Sequence, residues 1–191
     1  MGDDGLPDQA FQAVFVRLVT LDAERRLFSA DPVGYANQHL TGGAALALAA
    51  VDPAGLERFA RSLTSKRWSA LARVVPLTAR VVPDLGLLYR RWLGQHPSPG
   101  DRPGLSPGES EALRALAPLR RALSSDEGQA PWAADLLAFE AFRACSRRDG
   151  RVRSLKSVWP LDTIAQALQS GEIPLDPEPG TFTWQFTGGR R

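Results

Sequence analysis

Residues 181 to 187, TFTWQFT, set Phe182, Trp184 and Phe186 against Thr181, Thr183, Gln185 and Thr187 in strict alternation. That is the period of a half-buried β-strand, written in the β-branched and aromatic residues that favour one. A strand leaves its backbone N–H and C=O groups unpaired until a second strand meets it. Nearly everything before residue 145 repeats with a helical period instead. The partner strand must therefore come from the C-terminal region. RVRSLKSV, residues 151 to 158, with Val152, Leu155 and Val158, is the segment available. Between the two, Pro160 and Asp162 start a helix with Leu161, Ile164, Ala165 and Leu168 inward, and the loop GEIPLDPEPG leads back. The C-terminal unit is therefore expected to read strand, helix, strand. Its aromatic face should pack on the helix around Ile164 and Leu168, with the threonine face left polar and one backbone edge left open.

The rest of the chain predicts helices. Phe11, Val14, Phe15 and Leu18 share a helical face, and AERRLF continues as a short helix stopped at Asp31-Pro32 and Gly34. Thr41-Gly42-Gly43 opens another. Asp52-Pro53 is a start signal, because Asp caps and Pro suits the first turn. Ser65 is expected to begin a further helix with Trp68, Leu71 and Val75 inward, ending at Pro76. Asp84 leads into LGLLYRRWLGQH. After the Pro/Gly/Ser loop from His96 to Gly108, helices resume at 110–123 and 131–145. Trp68 and Trp132 are expected in the core. The predicted class is mainly α, with a helical domain over 1–148 and a strand–helix–strand unit over 149–191.

Composition excludes several classes of chemistry. There are two histidines, His39 and His96, and a single Cys145, so a Cys/His zinc site lacks ligands and no disulfide framework exists. No HExxH, CxxC, GxSxG or P-loop occurs. Neither histidine has a recognisable nucleophile context, and no cofactor is expected. No apolar run approaches the ~18 residues that span a bilayer. The acidic N-terminus, MGDDGLPDQ, is unlike a secretory signal, so a cytoplasmic location is expected. Glu140, set among Ala, Phe and Leu, is expected to be partly buried and paired with an arginine. The run SRRDGRVRSLK, residues 146 to 156, carries Arg147, Arg148, Arg151, Arg153 and Lys156 against one Asp149. It is a candidate surface for an acidic peptide or nucleic acid. With a net charge of only +2 and no evident helix-turn-helix, nucleic acid is the less expected partner.

Several segments together resemble a known family. PWAADLLAFEAFRA, residues 131 to 144, is similar to the "P-x-L-x-D-L-A-x-L-E-W-A" helix of the HvfC/BufC family, with Asp135, Leu136 and Glu140 at its Asp, Leu and Glu positions. RWSALARVVPLTARVVPDLGLLYRRWLGQHPS, residues 67 to 98, resembles that family's run, Val75-Pro76 standing for its Phe-Pro and His96-Pro97 for its His-Pro. The resemblance implies a companion of a multinuclear iron-dependent oxidative enzyme that modifies ribosomally made peptides. Such a companion has no catalytic centre. It recognises the leader of the precursor peptide and forms a heterodimer with the iron enzyme.

Two functions are carried forward. The first is a non-catalytic partner protein, with Arg151, Arg153, Thr181, Thr183 and Gln185 as peptide-binding candidates and Phe182, Trp184, Phe186, Asp135 and Glu140 as structural ones. An open strand edge suits this role, because an extended peptide can add to it as a further strand. The alternative is a DNA-binding or regulatory protein using the basic C-terminal segment.

Overall fold

A computed structural model describes residues 9–96, 102–174 and 176–188. The acidic N-terminal octapeptide, the middle of the Pro/Gly loop with Pro97 of the His-Pro pair, and the last Gly-Arg-Arg lie outside these residues. Among the described residues the chain is mostly helical, with ten helices and one small two-stranded antiparallel sheet near the C-terminus. In order they are α1 (Gln9–Thr20), α2 (Asp22–Ala30), α3 (Pro32–His39), α4 (Gly42–Ala49), α5 (Pro53–Val74), α6 (Pro76–Val81), α7 (Leu85–Leu93), α8 (Pro107–Ser124), α9 (Ala133–Asp149), β1 (Arg153–Ser157), α10 (Leu161–Ser170) and β2 (Phe182–Phe186). The chain divides into two compact units: Met1–Lys66 with Arg90–Pro99, and Arg67–Tyr89 with Gly100–Arg191. Both α5 and α7 contribute residues to each.

The first unit closes around Val14, Leu18, Phe28, Tyr35, Leu40, Leu48 and Leu56. Phe28 and Tyr35 meet edge to face, ring centroids 5.7 Å apart. Asp31-Pro32 ends α2 as expected, but it also starts α3, a helix the sequence reading did not anticipate. The Asp31 carboxylate accepts the Gly34 N–H at 2.9 Å, and Pro32 takes the first helical position. Asp52 does the same for α5, accepting from Ala54 at 3.0 Å and Gly55 at 2.8 Å. The helix predicted to begin at Ser65 is instead the second half of α5, which runs unbroken to Val74. Serine is only mildly unfavourable inside a helix and forces no break.

The second unit is built on α9, which packs against α8, α6, α10 and both strands. Leu136, Leu137, Ala138, Phe139, Glu140, Ala141 and Cys145 are all buried on it. A helix apolar on most sides must be covered on most sides. Trp132 is 1% exposed beside Leu136 and Phe139. Trp68 is only partly buried and lies over Tyr89, ring centroids 5.9 Å apart. Arg67 donates to both oxygens of Glu111 at 3.0 and 2.9 Å, and Arg114 adds a third bond at 3.2 Å.

Glu140 corrects another expectation. It is 2% exposed, and among the described residues its carboxylate bonds backbone and hydroxyl donors and forms no ion pair with an arginine. One carboxylate oxygen accepts the Leu77 N–H at 2.9 Å. The other accepts the Thr78 N–H at 2.8 Å and the Thr78 hydroxyl at 2.7 Å. The carboxylate thus caps the first turn of α6, whose N-cap residue Val75 has no side chain able to do so. Burial still pushes its carboxyl above the usual range, against the pull of these donors.

A carboxylate only accepts, whereas an amide presents two donors. Glu140→Gln should therefore aim an N–H at a buried donor and destabilise the protein by about 1–3 kcal/mol. Urea unfolding monitored by far-ultraviolet circular dichroism checks this, and an unchanged midpoint would refute the capping role.

Candidate functional site

The paired strands lie across α9. β1 and β2 run antiparallel with Arg153 opposite Phe186, Leu155 opposite Trp184 and Ser157 opposite Phe182. This is the pairing expected from the alternation at 181–187. The inner face of β2 meets α9 more directly than predicted. Phe139 makes edge-to-face contacts with Trp184 and Phe186, each at 5.3 Å, and Phe142 meets Phe186 at 6.2 Å. Each such pair adds about 0.5–1.5 kcal/mol beyond area burial. Ile164 and Leu168 belong to the same apolar cluster. Phe182 stacks on Trp184 at 6.3 Å and stays partly exposed.

Both ends of β1 are fastened to α9 by polar contacts. At one end the Ser157 hydroxyl donates to Asp135 at 2.7 Å, and Arg120 donates to the other Asp135 oxygen at 2.5 Å. The same hydroxyl accepts the Trp159 N–H at 3.0 Å. At the other end Arg153 donates to both oxygens of Asp149, at 2.8 and 2.7 Å, and to Ser146 at 3.2 Å. Gly150 ends α9 at φ +71°, a left-handed turn that a side chain would strain. Just past β2, Gly188 passes so close that a Cβ there would fall 2.5 Å from the Gly150 Cα.

The candidate peptide contacts therefore separate. Arg153 faces inward beside Leu155, its side chain 13% exposed and already held by Asp149. Arg151 precedes the strand, and its side chain is 77% exposed, 4.0 Å from Asp149. Thr181, Thr183 and Gln185 are exposed together. Thr183 stands opposite Lys156 and Gln185 opposite Ser154, so the outer face is polar with one cation at its centre. Val152 and Val158, 67% and 54% exposed, flank that face on the β1 side. Among the described residues, no backbone group of another segment hydrogen-bonds the far edge of either strand.

Nucleophile and metal chemistry find little here. Cys145 is fully buried, burial pushes its thiol up to about 12, and it lies 3.6 Å from the Glu109 carbonyl. His39 packs against Tyr35 at 4.4 Å, and His96 stacks on Trp92 with Nδ1 2.7 Å from the Trp92 carbonyl. Among the described residues no three His, Cys, Asp or Glu side chains gather as a metal site, and no helix is long and apolar enough to cross a membrane. No protein-family model, curated protein or solved structure matches the chain.

The clamp at Asp149 has a pH signature. The Arg153 guanidinium, with the Arg151 N–H, holds the Asp149 carboxyl down at about 2, against an opposing push from burial. An unfolded Asp titrates near ~3.9. The charged carboxylate therefore favours the fold fully above that value, and the contribution is lost as pH falls towards about 2. Asp149→Asn should cost about 1–2 kcal/mol at pH 7. The gap between variant and parent, read from denaturant midpoints, should close as pH drops below ~4. A gap independent of pH would show that the pair does not operate.

Proposed function

We propose that the chain is a non-catalytic partner protein of the cytoplasm. It binds a ribosomally synthesised precursor peptide and presents it to a multinuclear iron-dependent oxidative enzyme. The observation that carries this reading is the small sheet fixed on α9 with no described backbone partner at its far edges. Such an edge pairs with an extended peptide through main-chain hydrogen bonds, while alternate side chains give selectivity. Thr183 and Gln185 are the side chains a strand bound at the β2 edge would meet, and Lys156 the one met at the β1 edge, with Arg151 at the margin. The single cation on the face favours an acidic or polar residue opposite it. The resemblance of residues 67–98 and 131–144 to the HvfC/BufC family supports an iron-dependent oxidative enzyme as that partner.

A regulatory DNA-binding role is the competing reading. With Arg153 held by Asp149, the exposed cations of the basic segment are Arg147, Arg148, Arg151 and Lys156. Each phosphate contact gives a slope of roughly −0.9 in log K against log salt, so this segment supports no slope steeper than about −3.6.

Affinity purification of the tagged chain from its native host, with mass spectrometry and iron analysis of what co-elutes, is the first test. Recovery of an iron-containing oxidative enzyme and a short ribosomal peptide is expected. Recovery of promoter DNA without either would overturn the proposal. With that peptide labelled, the Lys156→Ala/Thr183→Ala/Gln185→Ala variant should bind about ten-fold more weakly, since cross-strand side-chain pairs contribute roughly 0.2–1 kcal/mol each. Its thermal midpoint should stay near the parent's. Unchanged peptide polarisation would move recognition away from the sheet.

A further inference from the structure

We infer that the first unit holds a binding cleft for a phosphorylated small molecule, a site independent of the peptide reading above. The cleft has a volume of about 530 Å³ and lies between the start of α2 (Leu21 to Glu24, then Arg26) and the end of α7 (Arg91, Gly94 and Gln95). The two walls are tied by a backbone bond, Asp22 N–H to the Gly94 carbonyl at 3.1 Å.

The charges lining this cleft are unevenly satisfied. Glu24 accepts from Arg17 and from the Tyr35 hydroxyl. Asp22 pairs with Arg25, which also reaches Glu57 at 3.0 Å. Both carboxylates are thus already paired with cations, Arg25 being shared with Glu57. Arg26 and Arg91 are exposed, and neither takes part in an ion pair among the described residues. Both guanidiniums line the cleft with no ion-pair partner among the described residues, so both are available to an incoming anion. Each offers a planar fork of donors suited to oxyanions.

The number of unmatched charges selects the ligand. A carboxylate would neutralise one arginine. A phosphate monoester, with its second proton lost near pH ~6, neutralises both and supplies enough oxygens for two forks. The cleft volume lies in the range of about 300–1,000 Å³ typical of small-molecule sites, far more than one phosphate group fills. Leu21 and Ala23 offer apolar surface to an organic body, and the Gln95 amide offers a further donor and acceptor. Arg26 also lines a neighbouring cleft of about 370 Å³ with Ser29 and Glu57, giving the organic part room to extend.

Isothermal titration at constant ionic strength with phenyl phosphate, inorganic phosphate and acetate tests the assignment on the full-length chain. Phenyl phosphate should bind most tightly, inorganic phosphate less so and acetate least. Arg26→Gln and Arg91→Gln should each weaken phenyl phosphate on the order of ten-fold, the scale of a lost hydrogen bond to a charged group. Arg121→Gln, an exposed change in the other unit, should leave it unaltered. The arginine variants should keep the parent's ligand-free thermal midpoint, since neither side chain bonds a described neighbour. Acetate binding as well as phosphate would overturn the proposal. So would full affinity in the Arg26→Gln/Arg91→Gln variant, an equal loss in Arg121→Gln, or phenyl phosphate binding no better than inorganic phosphate.

Discussion

The second unit depends on one buried carboxylate. Glu140 lies on a helix covered on nearly every side, where an unpaired charge costs several kcal/mol. It is tolerated because the first turn of α6 has orphan N–H groups and no capping side chain of its own. Three donors from Leu77 and Thr78 meet the two oxygens. Each partner thus resolves a deficit in the other, and the reciprocity fixes where α6 sits along α9. An apolar residue at 140 would relieve the burial of charge but leave the end of α6 without acceptors.

From that fixed helix the sheet follows. A two-stranded ribbon is marginal by itself in water. Here it gains a platform: Phe139 and Phe142 beneath Trp184 and Phe186, Asp135 holding Ser157, and Asp149 holding Arg153. All four anchoring groups are side chains of α9, spaced over its whole length. The inner face is therefore spent on attachment, and the outer face and the far edges remain for a partner. The same arrangement explains why Arg153 is a poor peptide contact, while Thr183 and Gln185 keep their side chains in solvent.

Much of this was legible from residue order. The alternation of Phe182, Trp184 and Phe186 with threonines identified β2, and the need for a ladder identified β1. The position of Arg153 was also readable, since it shares parity with Leu155 and so must face the same way. Its charge suggested the opposite. Asp31-Pro32 and Asp52-Pro53 are the same dipeptide and both aspartates accept the N–H three residues on, yet one invites reading as a stop because a helix precedes it. At α8 the signal is Ser106-Pro107-Gly108-Glu109, a capping box with Pro at the first position, which places the start before Ser110. The partner of Glu140 was not readable. It lies some sixty residues away, and a buried Glu among apolar neighbours suggests an arginine before it suggests backbone amides.

The central claim is that α9 holds a sheet whose far edges stay open. Native-state hydrogen exchange of the β1 and β2 amides, resolved residue by residue by nuclear magnetic resonance, tests it most directly. Amides that point across the ladder from Arg153–Ser157 and Phe182–Phe186 should be strongly protected, and their alternate neighbours should exchange nearly as fast as exposed loop amides. Uniform protection of both sets would mean that the edges are covered. Uniform fast exchange would mean that α9 does not hold the sheet.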